Sequence, residues 1–281
     1  MEPEPPWTGS TTILRIKKGE GKSAHLPVTR SNDSKQRPFT SWSQAPLPLP
    51  FPAGRVDVWR VRLDERETPG PEISILSPDE LRRASRFHFE KDRLHFCRCR
   101  SALRHLLGGY LQIPAAQIRF EYLTGRKPGL VAEQNPQSLQ FNVSHSADMA
   151  LIAVGSQHRL GIDIERIRSD VDTGSLAQRF FSLRERAGLQ SLPDHLRVQG
   201  FFACWTRKEA FLKATGEGLS FPLAEFSVAT HPNRAPRLEE IRGNEEAQKK
   251  WFLADLSVAH GYRATVAVEA VSCCLETYAW N

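Results

Sequence analysis

Leu160-Gly-Ile-Asp-Ile-Glu-Arg-Ile167 alternates apolar with polar or small residues, the pattern of a β-strand. Side chains two apart on a strand share a face. Leu160, Ile162 and Ile164 therefore point into a core, while Asp163 and Glu165 point the other way, with Gly161 leaving open space beside them. Two residues of strand rise set the carboxylates roughly 7 Å apart at the backbone, close enough to converge on one cation. An oxygen-only ligand set favours magnesium, manganese or calcium over zinc. For a D-x-E on its own, the solvated outer face of an edge strand is the commoner reading.

Downstream, Trp205-Thr-Arg-Lys-Glu-Ala-Phe-Leu-Lys213 reads as part of an amphipathic helix over about 200–215. Trp205, Glu209 and Lys213 fall four residues apart and so lie along one side. A surface Glu–Lys pair is the plain alternative, but Phe201, Phe202, Phe211 and Leu212 crowd the segment with apolar bulk. A third carboxylate beside a lysine is what metal-assisted phosphoryl transfer requires. Upstream, Phe141-Asn-Val-Ser-His-Ser-Ala147 reads as a strand ending in a small polar turn, with hydroxyls and an imidazole offered to a phosphate.

Around these segments the chain reads as mixed helix and strand. Strands are expected at Val56–Leu63, Ile118–Leu123, Leu139–Val143, Met149–Val154, Phe226–Ala229, Trp251–Leu256 and Tyr262–Val268. Ser77-Pro-Asp-Glu80 starts a basic helix, with serine as N-cap and proline at the first position. A longer helix runs from about Lys91 to Tyr110, with Gly108-Gly109 marking its end, and Thr124-Gly-Arg-Lys-Pro128 is a turn. The two halves echo each other faintly: Arg86-Phe-His-Phe89 and Arg179-Phe-Phe181 each precede a long helix, and Ala150–Val154 resembles Ala264–Val268.

Composition bounds the rest. The 281 residues suit one large domain or two ordinary ones, with 40% hydrophobic and 25% charged residues as in a globular protein. Residues 1–54 hold nine of the 19 prolines, a density that fits a flexible tail or an extended strap. The net charge is +6, and residues 1–54, with seven Lys/Arg and four Asp/Glu, supply +3 of it. No dense basic block supports a nucleic-acid partner. No run of about 18 or more apolar residues suggests a membrane span. The start of the chain lacks the pattern of a signal peptide, and the five cysteines are odd in number with no C-x-x-C pair. A cytoplasmic location is the expectation.

Taken together and in order, Phe141–Ser146, Gly161–Glu165 and Trp205–Lys213 resemble the F-N-x-S-H-S, G-x-D-x-E and W-x-x-K-E-[AS]-x-x-K motifs of the Sfp-type phosphopantetheinyl transferases. Arg179–Ser182, Gly216–Leu219 and the basic helix Ser77–Phe87 extend the likeness over about residues 55–270. The resemblance implies an α+β fold, a pseudo-dimer of two similar α+β halves (55–158 and 159–281) with the active site in the cleft between them. It implies transfer of the pantetheine arm of coenzyme A to a serine of an apo acyl or peptidyl carrier protein, with release of 3',5'-ADP. Fatty-acid, polyketide, peptide-synthetase and lysine-pathway carriers all present such a serine. It further implies Mg2+, with Mn2+ as a substitute, on Asp163, Glu165 and Glu209. Glu209, Lys213 and His145 are then catalytic, with the serine proton going to Glu209, to Glu165 or to a water beside it. Ser144, His145 and Lys213 hold phosphates, and Arg83, Arg86 and Lys127 take the 3'-phosphate and adenine side. This chain has Gly-Arg-Lys-Pro where many relatives have Gly-Lys-Pro, so Arg126 shares that duty with Lys127. Phe96 stands where some relatives carry a small hydroxyl residue, which leaves Arg98 or Arg100 as alternative contacts. The carrier docks near Arg179–Leu192, and the chain is expected to be a monomer. A metal-dependent hydrolase or nucleotidyl-transfer enzyme using the same carboxylates, and a non-enzymatic basic adaptor, are the rival readings.

Overall fold

A computed structural model describes residues 42–44, 49–64, 71–122, 128–218, 221–241 and 246–280. Strand β1 (Arg55–Arg62) is followed by helices α1 (Pro78–Ala84) and α2 (Glu90–Leu111), short strands β2 (Phe120–Glu121) and β3 (Gly129–Leu130), and the hairpin β4 (Leu139–Ser146) and β5 (Met149–Ser156). The series then repeats. Strand β6 (Leu160–Arg166) leads to α3 (Thr173–Phe180), α4 (Leu183–Gln190) and α5 (Asp194–Thr215), then short strands β7 (Phe226–Val228) and β8 (Leu238–Ile241), then β9 (Phe252–Asp255) and β10 (Tyr262–Val268). Strand β11 (Cys274–Trp280) closes the chain.

The expected doubling is visible in the sheets. Strands β1-β5-β4 and β6-β10-β9 have the same order, first-third-second, and every one of these pairings is antiparallel. The long helix of each series, α2 or α5, is 22 residues. Strand β11 breaks the symmetry. It crosses back to pair in parallel with β1, so the end of the second half belongs spatially to the first sheet.

The layers run helix, sheet, sheet, helix. Leu103, Leu106 and Leu107 of α2 pack on Trp59, Ile152 and Val154. The opposite residues of the same strands, Val58, Leu151 and Ala153, meet Ile162, Ile164 and Val266 of the second sheet. Strand β5 is buried on both faces, which explains its continuous apolar run. Helix α5 covers the far side of β6 and β10.

The start of α1 is as expected, a capping box between Ser77 and Glu80. Gly108 and Gly109 do not end α2, which continues to Leu111 and stops on left-handed Gln112. They are small for packing: a Cβ on Gly108 would meet Ile113 O at 2.6 Å, and one on Gly109 would meet the Leu49 side chain at 3.0 Å. The expected strand at Ile118–Leu123 is only the two-residue β2, and β8 and β11 were not anticipated.

The described part of the proline-rich segment is a strap. Ser43 bridges to Tyr278 on β11. Trp42 Nε1 donates to Ser257 O at 2.8 Å, and the Arg60 guanidinium lies 4.9 Å from the Trp42 ring while donating to Val258 O at 2.7 Å. No helix among the described residues is long and apolar enough to cross a membrane. The five cysteines are free thiols, with Cys97, Cys99 and Cys204 buried.

Candidate active site

Asp163 and Glu165 do not lie on a solvated face. They are 0% and 3% exposed, because α5 lies directly across β6. The room expected beside Gly161 is filled by that helix: a Cβ on Gly161 would sit 2.2 Å from Ala210 O and 2.4 Å from Ala214 N. The glycine is what lets the helix come close enough to set Glu209 and Lys213 against the carboxylates of the strand.

From Gly200 onward helix α5 is buried nearly all round rather than amphipathic, and the charges of Arg207 and Lys208 are spent inside. Lys208 Nζ donates to both oxygens of Glu185, at 2.7 and 2.9 Å, and to Phe226 O. Arg207 pairs with Asp255 and donates to the carbonyls of Ala229, His231 and Arg234. Such full pairing offsets the cost of burying ions. Trp205, one turn before Glu209, packs among Phe180, Phe181 and Phe201.

Lys213 Nζ donates to Asp163 Oδ1 at 2.7 Å and to Ser144 Oγ at 2.9 Å. Ser144 Oγ donates in turn to Asp163 Oδ1 at 2.9 Å, and Ser146 Oγ donates to Glu165 Oε2 at 2.8 Å. Glu165 Oε1 is buried and accepts no hydrogen bond. Burial, followed by the negative charges of Asp163 and Glu209, pushes the Glu165 carboxyl up from its ordinary value near 4.5 to about 8. The Ser146 hydroxyl and Lys213 only partly offset this.

Among the described residues no three His, Cys, Asp or Glu side chains are drawn into a finished metal cage. Asp163 is paired with Lys213. The donor set nonetheless fits a hard divalent cation: it is all oxygen, in excess of negative charge, and includes a buried carboxylate oxygen that accepts no hydrogen bond.

Comparison with known proteins decides the family. A model described as the 4'-phosphopantetheinyl transferase superfamily matches residues 159–267, and one described as 4'-phosphopantetheinyl transferase, N-terminal, matches residues 70–157. The 4'-phosphopantetheinyl transferase HetI of Nostoc sp. is 39% identical over 229 residues, 81% of this chain and 93% of the relative. The chain belongs to the 4'-phosphopantetheinyl transferase superfamily. Sfp of Bacillus subtilis is 28% identical over 194 residues, 69% of this transferase and 82% of Sfp. The L-aminoadipate-semialdehyde dehydrogenase-phosphopantetheinyl transferase of Xenopus laevis is 31% identical over 192 residues, 64% and 61% of the two chains.

In this transferase the F-N-x-S-H-S segment is not a turn. It lies within β4 as far as Ser146, paired residue by residue with β5, and the turn comes after it at Ala147 and Asp148. Strand alternation separates His145 from its neighbours. Asn142, Ser144 and Ser146 are buried together on the side toward β6, while half-buried His145 projects the other way. Arg83 lies half-buried on α1 with its guanidinium 5.8 Å from the Phe96 ring, and Arg86 is exposed just after that helix. Arg126 and Lys127 lie outside the described residues. Of the alternative contacts, Arg98 donates to Leu63 O at 2.8 Å, and Arg100 is buried against Glu80 at 3.1 Å. Asn142 and Ser146 join Ser144 on this buried face, whereas the family motif singles out Ser144 and His145. The signal for that face was the run of small polar residues at alternate positions 142, 144 and 146.

Proposed function

We propose that this transferase moves the 4'-phosphopantetheine of coenzyme A to a serine hydroxyl of an apo acyl or peptidyl carrier protein, releasing 3',5'-ADP. The supporting observation is the set of three buried carboxylates from one strand and one helix, with Lys213 paired to Asp163 among them. Asp163, Glu165 and Glu209 would hold magnesium, with manganese as the natural substitute. That ion, when bound, neutralises the diphosphate and the charge that grows on the leaving phosphate.

The remaining work falls to the chain itself. Glu209 is the least buried of the three residues, at 7% exposure against 0% and 3%, and takes the proton of the incoming serine. The serine oxygen forms its bond to the β-phosphorus, the bond to the bridging oxygen breaks, and 3',5'-ADP leaves with that oxygen. Lys213, held near the site by Asp163 and Ser144, turns its ammonium to the phosphates as a point charge. His145, Arg83 and Arg86, with Arg126 and Lys127, take the 3'-phosphate and adenine end.

The carrier docks on α4 and its surroundings, where Leu183 is 78% exposed and Arg184 stands out beside it. An acidic carrier surface complements this face. The transferase works as a monomer in the cytoplasm. Its internal repeat already supplies both walls of the cleft, and its free thiols suit a reducing compartment.

The test is the intact mass of an apo carrier after incubation with the transferase, coenzyme A and Mg2+. The expected result is a gain of one phosphopantetheine group, lost on chelation and reduced about 100-fold or more in rate by Asp163→Ala. No gain on several carrier classes, with the protein folded, would refute the proposal.

A further inference from the structure

The two sheets present neighbouring edges, β4 and β6, and no backbone ladder joins them. Side chains join them instead. The N–H groups of Ile162, Ile164 and Arg166 donate to Asn142 Oδ1 at 2.8 Å, Ser144 Oγ at 3.3 Å and Ser146 Oγ at 3.0 Å. The offset is 20 residues at each rung, so the strands run parallel, and alternate side chains of β4 take the place of the missing carbonyls. These are the N–H groups that point away from β10, and they would otherwise be unpaired inside the protein.

The rungs are not equivalent. A hydroxyl has one proton to give and two lone pairs with which to accept. Having accepted from β6, Ser144 and Ser146 still have a proton, and each gives it to the carboxylate preceding the rung it holds: Asp163 Oδ1 at 2.9 Å and Glu165 Oε2 at 2.8 Å. Asn142 closes its rung opposite Gly161 and Ile162, where β6 carries no carboxylate.

We infer that Ser146 is a positioning residue for Glu165, fixing one carboxylate oxygen so that the other, Oε1, is presented to the cation. The inference rests on the reading that Glu165 is a metal ligand. Its single hydrogen bond restrains a side chain that would otherwise rotate, and it is anchored to the same strand that carries Glu165. Ser144 does the corresponding work for Asp163 while also seating Lys213. Strand β4 thus splices two sheets and aims two carboxylates with the same hydroxyls.

The test measures Mn2+ binding to the folded transferase with coenzyme A present, by the loss of the free-ion electron paramagnetic resonance signal. Ser146→Ala is expected to weaken Mn2+ binding about tenfold, the usual cost of losing a group that orients a metal ligand. Ser146→Thr and Ser146→Val fill the same volume, so Thr should bind near the wild-type level and Val should resemble Ala. Asn142→Ala loses a rung but no carboxylate contact, and should lower the denaturation midpoint with Mn2+ affinity unchanged. Equal affinity in the Thr and Val variants, or an equal loss in Asn142→Ala, would overturn the inference while leaving the metal site intact. Failure of the wild-type protein to bind Mn2+ at all would overturn the metal reading itself, and this inference with it.

Discussion

At the residue scale the site is a problem of surplus negative charge. Glu165 is deprived of water and faces Asp163 and Glu209, so its folded-state pKa of about 8 exceeds the unfolded value near 4.5. Between those limits the metal-free folded protein binds a proton that the unfolded chain has released. Stability of the metal-free protein should therefore be greatest below about pH 4.5 as far as this group is concerned, and should fall as pH rises to about 8, by on the order of 1 kcal/mol per pH unit. Magnesium needs the ionised carboxylate, so it should raise the melting temperature more at pH 8 than at pH 6. Melting curves with and without chelator at the two pH values will check the sign. A larger magnesium effect at pH 6 would refute it. The D-x-E pair was legible in sequence because a strand places alternate residues together. Its burial was not, because what covers it is a helix some 40 residues away.

At the element scale the decisive contact is α5 on β6. Gly161→Ala should force the two apart, since the added methyl would lie 2.2 Å from a helix carbonyl. An overpacking cost of about 1–3 kcal/mol is expected in urea denaturation, together with weaker metal binding because Glu209 and Lys213 move with the helix. The Lys208–Glu185 pair belongs to the same scale. It ties α5 to the start of α4, where Ser182 N–H and Val228 N–H also donate to Glu185. Lys208→Met should cost about 3–5 kcal/mol by leaving a buried carboxylate without its counterion. Adding Glu185→Gln should recover part of that loss, and urea midpoints of the single and double variants measure the difference.

At the scale of the whole molecule, two sequence-distant segments lie across the internal repeat. Strand β11 returns from the second series to the first sheet, and the strap at Trp42 and Ser43 lies on β11 while reaching Ser257. Trp42→Ala removes a hydrogen bond worth about 1 kcal/mol and a cation–π contact of about 0.5–1 kcal/mol. The variant should unfold at a lower urea concentration, by about 2 kcal/mol in stability, with α5 and its carboxylates still in place and Mn2+ affinity unchanged. Weakened Mn2+ binding would mean that the strap also sets the geometry between the halves.

The sequence by itself determined what depends on neighbours along the chain. The strand at Leu160–Arg166, the capped start of α1, the two long helices and the three motifs are written in alternation, capping residues and four-residue spacing, all local in origin. Tertiary structure alone decided matters that turn on what lies opposite. The space at Gly161 is occupied and not open, the glycines at 108 and 109 serve packing and not termination, and Ser144 and Ser146 face β6 from within a strand. Strand β11 was missed because its partner β1 lies more than 200 residues away. The physical reason is the same in each case. Local sequence sets backbone conformation and the side to which a residue points, while burial, pairing and charge environment are fixed by whichever distant segment arrives on that side.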